Sequence, residues 1–247
     1  MTEGKVTGAN VSVKLTDAFM QAAIDGKPFV QQYPIDADEP LFKKEISATD
    51  LWKKIVHNAW KSAEPGVLFW DTILRESVPD CYADLGYRTV STNPCGEIPL
   101  CPYDSCRLLA INLYSYVVNP FKPDAYFDFD LFKKHVALAQ RIMDDIIDLE
   151  LEKIERIMAK IDSDPENEDV KHTESVLWQK IYKKSGQGRR TGVGITAEGD
   201  MLAALGLRYG TEEATEFAEK VHQTVALSAY RSSVEMAKER GAFEVYD

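Results

Sequence analysis

The feature that most constrains the fold is an alternation of helical patterns with short apolar runs, bounded by proline and glycine. Apolar residues recur at helical spacing from about 128 to 161, and Asp164-Pro165 ends that pattern. Glu64-Pro65-Gly66 ends an earlier helical pattern at 49–63, and the apolar run 67–70 then predicts a short buried strand. Helices that alternate with short buried strands favour a helix-rich α/β architecture.

Weaker patterns complete the prediction of secondary structure. Ser47 or Thr49 is expected to cap the helix at 49–63. Further helices are predicted at 12–24, 168–184, 196–206 and 211–240, with a turn and a short strand at 186–195.

Composition and charge exclude several classes of function. A hydrophobic fraction of 45% with 28% charged residues is typical of a globular protein. The net charge of −11 disfavours a nucleic-acid polymer as partner, because phosphates are neutralised by clustered Lys and Arg. No apolar run approaches the roughly 20 residues that span a bilayer, so no membrane partner is predicted. The first residues lack the basic and apolar regions of a secretory signal, which favours the cytoplasm.

The four cysteines are crowded into one stretch of 26 residues, 81–106. In a cytoplasmic chain, cysteines are expected to be thiols rather than disulfides. No C-x-x-C pair occurs among them, so their spacing is wrong for a zinc ribbon, and no metal site is predicted.

The segment 91–100, Ser-Thr-Asn-Pro-Cys-Gly-Glu-Ile-Pro-Leu, carries the sharpest chemical signal. Pro94 and Pro99 each favour an extended backbone at the residue before them. In an extended segment, Asn93, Cys95 and Glu97 would project from one face. An amide, a thiol and a carboxylate suit a polyhydroxylated substrate, with Glu97 as a general base. The alternative is a tight turn in which Cys95 is a small buried hydrophobe.

Two other motifs carry weaker signals for ligand binding. Gly192-Val-Gly194-Ile-Thr-Ala197 fits a pyrophosphate-binding pattern, but a structural turn from strand to helix is the stronger interpretation. Glu219-x-x-His222 and Asp169-x-x-His172 provide too few ligands for a di-iron centre. Arg189 and Arg190 could meet a phosphate, although paired surface arginines are usually solvated.

The run 91–97, followed by Ser105-Cys106 and Leu-Leu-Ala-Ile-Asn-Leu, resembles the active-site stretch of ribonucleotide reductases. Glu-Pro-Gly-Val-Leu-Phe at 64–69 and Arg-Arg-Thr-Gly-Val-Gly at 189–194 are also similar to the family's sequences. The likeness covers nearly the whole chain and is strongest to the adenosylcobalamin-dependent class II enzymes. It implies a ten-stranded α/β barrel, of which residues 1–247 would form one partial catalytic domain.

The resemblance also implies roles for individual residues. Cys95 matches the thiol that becomes a thiyl radical and abstracts the ribose 3′-hydrogen, in a transfer that similar S–H and C–H bond strengths make reversible. Glu97 matches the carboxylate that takes the 3′-hydroxyl proton as water leaves C2′. Asn93 matches the amide that orients the ribose hydroxyls. Cys106 matches one of the two thiols that supply reducing equivalents.

The sequence departs from the family's pattern at the second reducing cysteine. Upstream of the Asn93–Glu97 loop only Cys81 is present, and its context does not match. The segments that hold substrate phosphates and the shuttle cysteines are also missing, so we expect a fragment that is inactive by itself. The resemblance implies a ribonucleotide substrate and a dithiol reductant such as thioredoxin, and it is compatible with a homodimer. Two rivals are a class I large subunit with a separate radical-generating subunit, and a non-catalytic relative that binds a nucleotide or a partner chain.

Overall fold

The computed structural model describes residues 8–35 and 37–246. The chain divides into two compact units, residues 1–102 and 103–247. The single catalytic domain expected over 1–247 stays a prediction.

The first unit combines short strands with three helices. Its elements are β1 (Ser12–Leu15), α1 (Asp17–Asp25), β2 (Pro28–Tyr33), β3 (Phe42–Ser47), α2 (Ala48–Ser62), β4 (Gly66–Phe69), α3 (Trp70–Glu76), a 3-10 helix (Val78–Leu85), β5 (Ser91–Thr92) and β6 (Pro99–Leu100).

Strands β1 and β4 pair in parallel and lie beside a small apolar core. Val13 lies opposite Val67, and Leu15 lies opposite Phe69. Leu15 is buried in a core with residues of α1 and α2. The other buried members are Phe19, Ala23, Ala48 and Ile55. Because α1 and α2 each bury one apolar face here, the helices hold the parallel strand pair in place.

The helix predicted at 12–24 is wrong over its first residues. Ser12–Leu15 is a strand, and the helix begins only at Asp17. The Thr16 side chain accepts a hydrogen bond from the backbone N–H of Phe19 at 3.1 Å, which is the N-cap geometry that starts a helix. The prediction for α2 is confirmed, and Ser47 caps it by accepting from the Asp50 N–H at 3.2 Å.

The second unit is dominated by long helices. Its elements are β7 (Leu109–Asn112), a 3-10 helix (Leu113–Tyr116), β8 (Val117–Val118), β9 (Tyr126–Phe127), α4 (Phe129–Ser163), α5 (Glu168–Gly188), β10 (Val193–Thr196), α6 (Glu198–Ala204), α7 (Glu212–Arg240) and a 3-10 helix (Glu244–Tyr246).

Helix α4 forms the spine of this unit and confirms the long helical pattern. Its buried positions recur every three or four residues, or at multiples of that spacing, and it packs against α5 and α7. These positions are Phe132, Val136, Ala139, Met143, Ile147, Ile154 and Ile161. Asp128 caps the helix by accepting from the Leu131 N–H at 2.9 Å.

Strands β7 and β10 pair in parallel against α4, with Ile111 opposite Ile195. Gly192 precedes β10, and a Cβ atom there would lie 2.4 Å from the carbonyl oxygen of Arg107. Glycine is therefore required for the two backbones to approach, which supports the structural interpretation of the Gly192–Ala197 motif.

The sheets are small throughout the described residues. All strands there belong to five two-stranded sheets, and none of these sheets closes into a barrel. Parallel pairs β1–β4 and β7–β10 together with seven α-helices confirm a helix-rich α/β architecture.

Candidate active site

The segment 91–100 forms a tight β-hairpin in the first unit. Ser91 lies opposite Leu100, and Thr92 lies opposite Pro99. The Asn93 N–H donates to the Ile98 carbonyl at 3.2 Å, and the Gly96 N–H donates to the Asn93 carbonyl at 3.0 Å. Asn93–Gly96 is thus a β-turn at the tip of the hairpin.

The extended conformation expected for Asn93–Glu97 is wrong, because the turn reverses the chain. The turn nevertheless brings Asn93 and Glu97 together: the Asn93 Nδ2 group donates to Glu97 Oε1. Asn93 Oδ1 accepts from the backbone N–H of Ile98 at 3.0 Å. Both ends of the Asn93 amide are therefore engaged, and the Glu97 carboxylate is held beside the turn.

Cys95 lies at the tip of this hairpin with an exposed side chain. The alternative interpretation, a tight turn with a buried cysteine, is right about the turn and wrong about burial. Gly96 follows with a φ of 85°, and a Cβ atom there would lie 3.0 Å from Leu68 Cδ2 in β4. Glycine at 96 lets the turn close over the strand while the thiol stays accessible.

Two polar contacts hold the chain that leads into the hairpin. The buried Thr89 donates its hydroxyl to Asp80 Oδ2 at 2.6 Å and its N–H to Asp80 Oδ1 at 2.8 Å. The Lys14 ammonium donates to the Val90 carbonyl and lies 3.6 Å from the centre of the Trp70 ring. Desolvation at this position lowers the pKa of Lys14.

Cys106 lies in the second unit, on the segment that leads into β7, and is partly buried. Asp104, two residues before it, forms an ion pair with Arg190 in which the carboxylate side chain is 7% exposed. Tyr103 has a positive φ of 63°, and its ring is contacted by Lys180. The backbone around Cys106 is thus held by side chains from a distant part of the sequence.

Arg107, directly after Cys106, makes four side-chain hydrogen bonds. Its guanidinium is 5% exposed and forms a two-pronged pair with Glu150 of α4, through Nε to Oε2 and through Nη2 to Oε1 at 2.9 Å. Nη2 also donates to Ser185 Oγ of α5 at 2.8 Å, and Nη1 donates to the Arg190 carbonyl at 2.9 Å. Ser185 in turn donates to Glu150 Oε1 at 3.1 Å.

Sequence reasoning missed Asp104, Arg107 and Glu150, as well as Lys14. A basic residue next to a candidate thiol was the one available signal. Its partner Glu150 lies 43 positions away within a run of many carboxylates, so the sequence does not single it out.

Arg189 and Arg190 are held by carboxylates of this chain. Arg189 Nε donates to Asp144 at 2.7 Å, and Nη1 donates to Asp148 at 2.8 Å. Burial acts to lower the pKa of Arg189, but the two aspartates outweigh it and raise that pKa. These partners disfavour a phosphate site at the two arginines.

Other candidate features add no site in the part of the chain that the structure describes. All four cysteines are thiols there; Cys81 is exposed and Cys101 is buried. No cluster of three or more His, Cys, Asp or Glu side chains within 8–35 and 37–246 could hold a metal ion. Among the helices of these residues, none combines the length and the apolar character needed to cross a bilayer.

Comparison with known protein families gives one match across nearly the whole chain. Residues 3–247 match the family described as "Ribonucleotide reductase, barrel domain". The vitamin B12-dependent ribonucleoside-diphosphate reductase of Thermoplasma acidophilum is 33% identical over 246 residues, which are 99% of this chain and 28% of that protein. The protein of the same name from Mycobacterium tuberculosis is 30% identical over 96% of this chain and 29% of its own length. The chain therefore spans less than a third of these relatives.

A solved structure shares the fold. The class Id ribonucleotide reductase alpha subunit of Actinobacillus ureae superposes with a TM-score of 0.67 and 17% sequence identity. The superposition covers 96% of this chain and 37% of that one. At this identity the likeness establishes the architecture alone.

Proposed function

Because this chain belongs to the ribonucleotide reductase family through its barrel domain, we propose that it is part of a catalytic subunit that reduces ribonucleoside diphosphates to deoxyribonucleotides. The observation that carries the proposal is the hairpin at 91–100, which presents the exposed Cys95 thiol at a turn closed by the Asn93–Glu97 hydrogen bond. The remaining parts of the enzyme would come from the portion of the relatives' length that these 247 residues do not span.

The proposed reaction begins at Cys95. Its sulfur, as a thiyl radical, takes the hydrogen atom from C3′ of the ribose and becomes a thiol again, leaving the unpaired electron on the sugar. Glu97 accepts the proton of the 3′-hydroxyl, and the 2′-hydroxyl takes a proton from one of the two reducing thiols and leaves as water. The thiol pair then supplies its second proton and two electrons to the sugar as the disulfide forms. Glu97 returns its proton to the 3′-oxygen, and C3′ takes a hydrogen atom back from Cys95, which becomes a thiyl radical again. An exposed thiol suits this role, because the sulfur must meet both the radical source and the substrate.

Asn93 would hold the Glu97 carboxylate and the ribose hydroxyl in position relative to each other. Its Oδ1 atom is engaged by the Ile98 N–H, which fixes the side-chain amide against the backbone of its own turn. Its Nδ2 group directs the Glu97 carboxylate and has a second hydrogen that can reach a ribose hydroxyl. Positioning of this kind supports general-base catalysis, because the base must lie within hydrogen-bond reach of the proton that it abstracts.

Cys106 would supply one of the two reducing equivalents, and its thiol would end in a disulfide after each turnover. A dithiol reductant such as thioredoxin would then restore the thiols. We place the enzyme in the cytoplasm, where thiols stay reduced, and expect it to act as a homodimer.

Adenosylcobalamin is the proposed radical source for this chain, and the two curated relatives are named vitamin B12-dependent. The exposed Cys95 thiol fits this group, because its sulfur would be accessible to a bound cofactor. When bound, the cofactor would supply the radical that removes the hydrogen atom from Cys95. The role of this chain is to hold the thiol, the carboxylate and the amide in one place.

The experiment is reduction of a ribonucleoside diphosphate by the longest natural polypeptide that contains this sequence, with dithiol, with and without adenosylcobalamin. Product that requires the cofactor and disappears in Cys95→Ser supports the proposal. Product without cobalamin but with a metal-containing partner subunit would indicate a class I enzyme. No product under either condition would indicate a non-catalytic relative.

A further inference from the structure

The Cys106 segment is attached to the rest of the second unit by two ion pairs, each with one buried partner. The Arg107 side chain is 5% exposed in one pair, and the Asp104 side chain is 7% exposed in the other. Asp104 and Arg107 flank Cys106 at positions −2 and +1, and both pair with oppositely charged side chains far along the chain. Between these two anchors the backbone has two residues, Ser105 and Cys106, in which to adjust. The two pairs therefore restrict where the thiol can lie.

We propose that Arg107 and Glu150 are positioning residues for the Cys106 thiol. The inference rests on the proposed role of Cys106 as a redox thiol, and it adds how that thiol is held in place. The fork between the Arg107 guanidinium and the Glu150 carboxylate fixes direction as well as distance, because two parallel hydrogen bonds do not allow rotation about either one.

The chemistry favours positioning over mere support of the fold. A hydrophobic pair of the same volume would pack α4 against the chain at least as well, since burying two charges costs desolvation free energy. What a forked ion pair adds is a defined geometry for the residue beside it. Arg107 also forms hydrogen bonds with α4, α5 and the Arg190 carbonyl. The segment carrying Cys106 is therefore attached to three separate parts of the unit.

The residues just before Cys106 border an open pocket. An open pocket of about 530 Å³ lies against residues 103–105, and Glu150 contributes to its wall. Its apolar lining comes from α4 and α5. These residues are Ile154, Ile157, Leu177, Trp178 and Ile181. Glu150 thus lines the pocket and also pairs with Arg107.

Arg107→Lys in the longest natural polypeptide tests the proposal. Lysine keeps the charge but cannot form the fork. We expect kcat for ribonucleotide reduction to fall about tenfold with KM within twofold, since positioning is lost and substrate binding is not. The rate at which iodoacetamide alkylates Cys106, followed by mass spectrometry, is expected to change at least threefold, while that of Cys95 stays unchanged.

Arg240→Lys is the matched control. Arg240 is also held by two carboxylates of α4, Asp144 at 3.0 Å and Asp145 at 2.9 Å, but it is not attached to the Cys106 segment. We expect kcat and both alkylation rates of this variant to match those of the wild type. Equal Cys106 alkylation and equal kcat in Arg107→Lys and Arg240→Lys would overturn the proposal.

Glu150→Gln decides the question if Arg107→Lys does not fold. It keeps the shape of the side chain and one acceptor oxygen, and it should change Cys106 alkylation in the same direction as Arg107→Lys. If neither variant folds, the proposal is also overturned, because the pair would then support the whole unit and not the thiol.

Cys106→Ser separates this inference from the proposed function. Sustained turnover of Cys106→Ser with dithiol would refute the redox role of Cys106. The Cys106 alkylation rates of Arg107→Lys and of the wild type would still report whether Arg107 positions that thiol.

Discussion

The two cysteine segments are held in place by opposite means. The hairpin that carries Cys95 is organised by contacts among neighbours, since Asn93 bonds to Glu97 and Ile98, four and five residues away. The segment that carries Cys106 is organised by Arg107–Glu150 and Asp104–Arg190, whose partners are 43 and 86 residues apart. A local turn can be reproduced by any scaffold that supports its two ends, whereas a long-range pair depends on the folded unit.

This difference matches the chemistry proposed for each thiol. The Cys95 loop must keep three functional groups together, and a short turn achieves that through its own hydrogen bonds. A thiol that cycles between reduced and oxidised forms must come back to the same position after each cycle. The buried charge of Arg107, which is bonded to α4 and α5, helps to fix that position.

The largest expected effect tests whether the local cluster is catalytic. Glu97→Gln keeps an oxygen that can accept from Asn93 but removes the base, so kcat should fall by about 10²- to 10⁴-fold. Steady-state assays of the longest natural polypeptide measure it. Glu76→Gln is the control, because Glu76 is an exposed carboxylate of the same unit and should leave kcat within twofold. A kcat for Glu97→Gln within threefold of wild type would refute the assignment.

A stability comparison tests the contrast directly. Glu150→Ala leaves the Arg107 guanidinium buried without its carboxylate, which should lower the free energy of unfolding by about 3 kcal/mol. Asn93→Ala removes hydrogen bonds at a partly exposed turn and should cost about 1 kcal/mol. Urea transitions with unchanged slope provide both values. Equal losses in the free energy of unfolding would contradict the distinction between the locally held Cys95 hairpin and the Cys106 segment, which is held by long-range pairs.

The turn at Gly96 can be dissected with a second glycine as reference. Gly96→Ala and Gly26→Ala both place a side chain at positive φ, 85° and 69°, at a cost of about 1 kcal/mol each. Only the methyl group at 96 meets a neighbour, Leu68 Cδ2 at 3.0 Å. We therefore expect Gly96→Ala to be the more destabilising by about 0.5 kcal/mol, and the double variant with Leu68→Ala to recover that difference. Urea transitions of these three variants and of Leu68→Ala alone measure it. Equal losses of stability at 96 and 26 would show that a methyl group at 96 meets no steric resistance from Leu68.

The smallest effect concerns Lys14 and pH. Desolvation lowers its pKa in the folded chain, so between that pKa and the ordinary value of 10.5 the unfolded chain binds more protons. Stability should therefore rise with pH in that window, relative to Lys14→Met. The difference between the two urea midpoints at pH 7.5 and at about pH 10.5 measures it. A difference that shrinks as the pH rises would show that the Val90 carbonyl and the Trp70 ring outweigh desolvation.

Most helices could be predicted because their signals are local. The pattern at 128–161 is found as Phe129–Ser163, and the pattern at 49–63 is found as Ala48–Ser62. The error at 12–24 has a physical cause: Val13 and Leu15 fit a helical period as well as a strand period. Pairing with β4 decides between the two.

The sequence by itself determined the family, the α/β class and the identity of the candidate residues Asn93, Cys95, Glu97 and Cys106, because residue types and their spacing carry the chemistry. Tertiary structure alone decided how the Cys106 segment is held. The chain reversal at Asn93–Gly96 comes from hydrogen bonds within its own hairpin, whereas the Arg107–Glu150 pair depends on α4 lying against the start of β7. A carboxylate 43 residues away has no local signature, since what selects it among its neighbours is burial, and burial is a property of the folded chain.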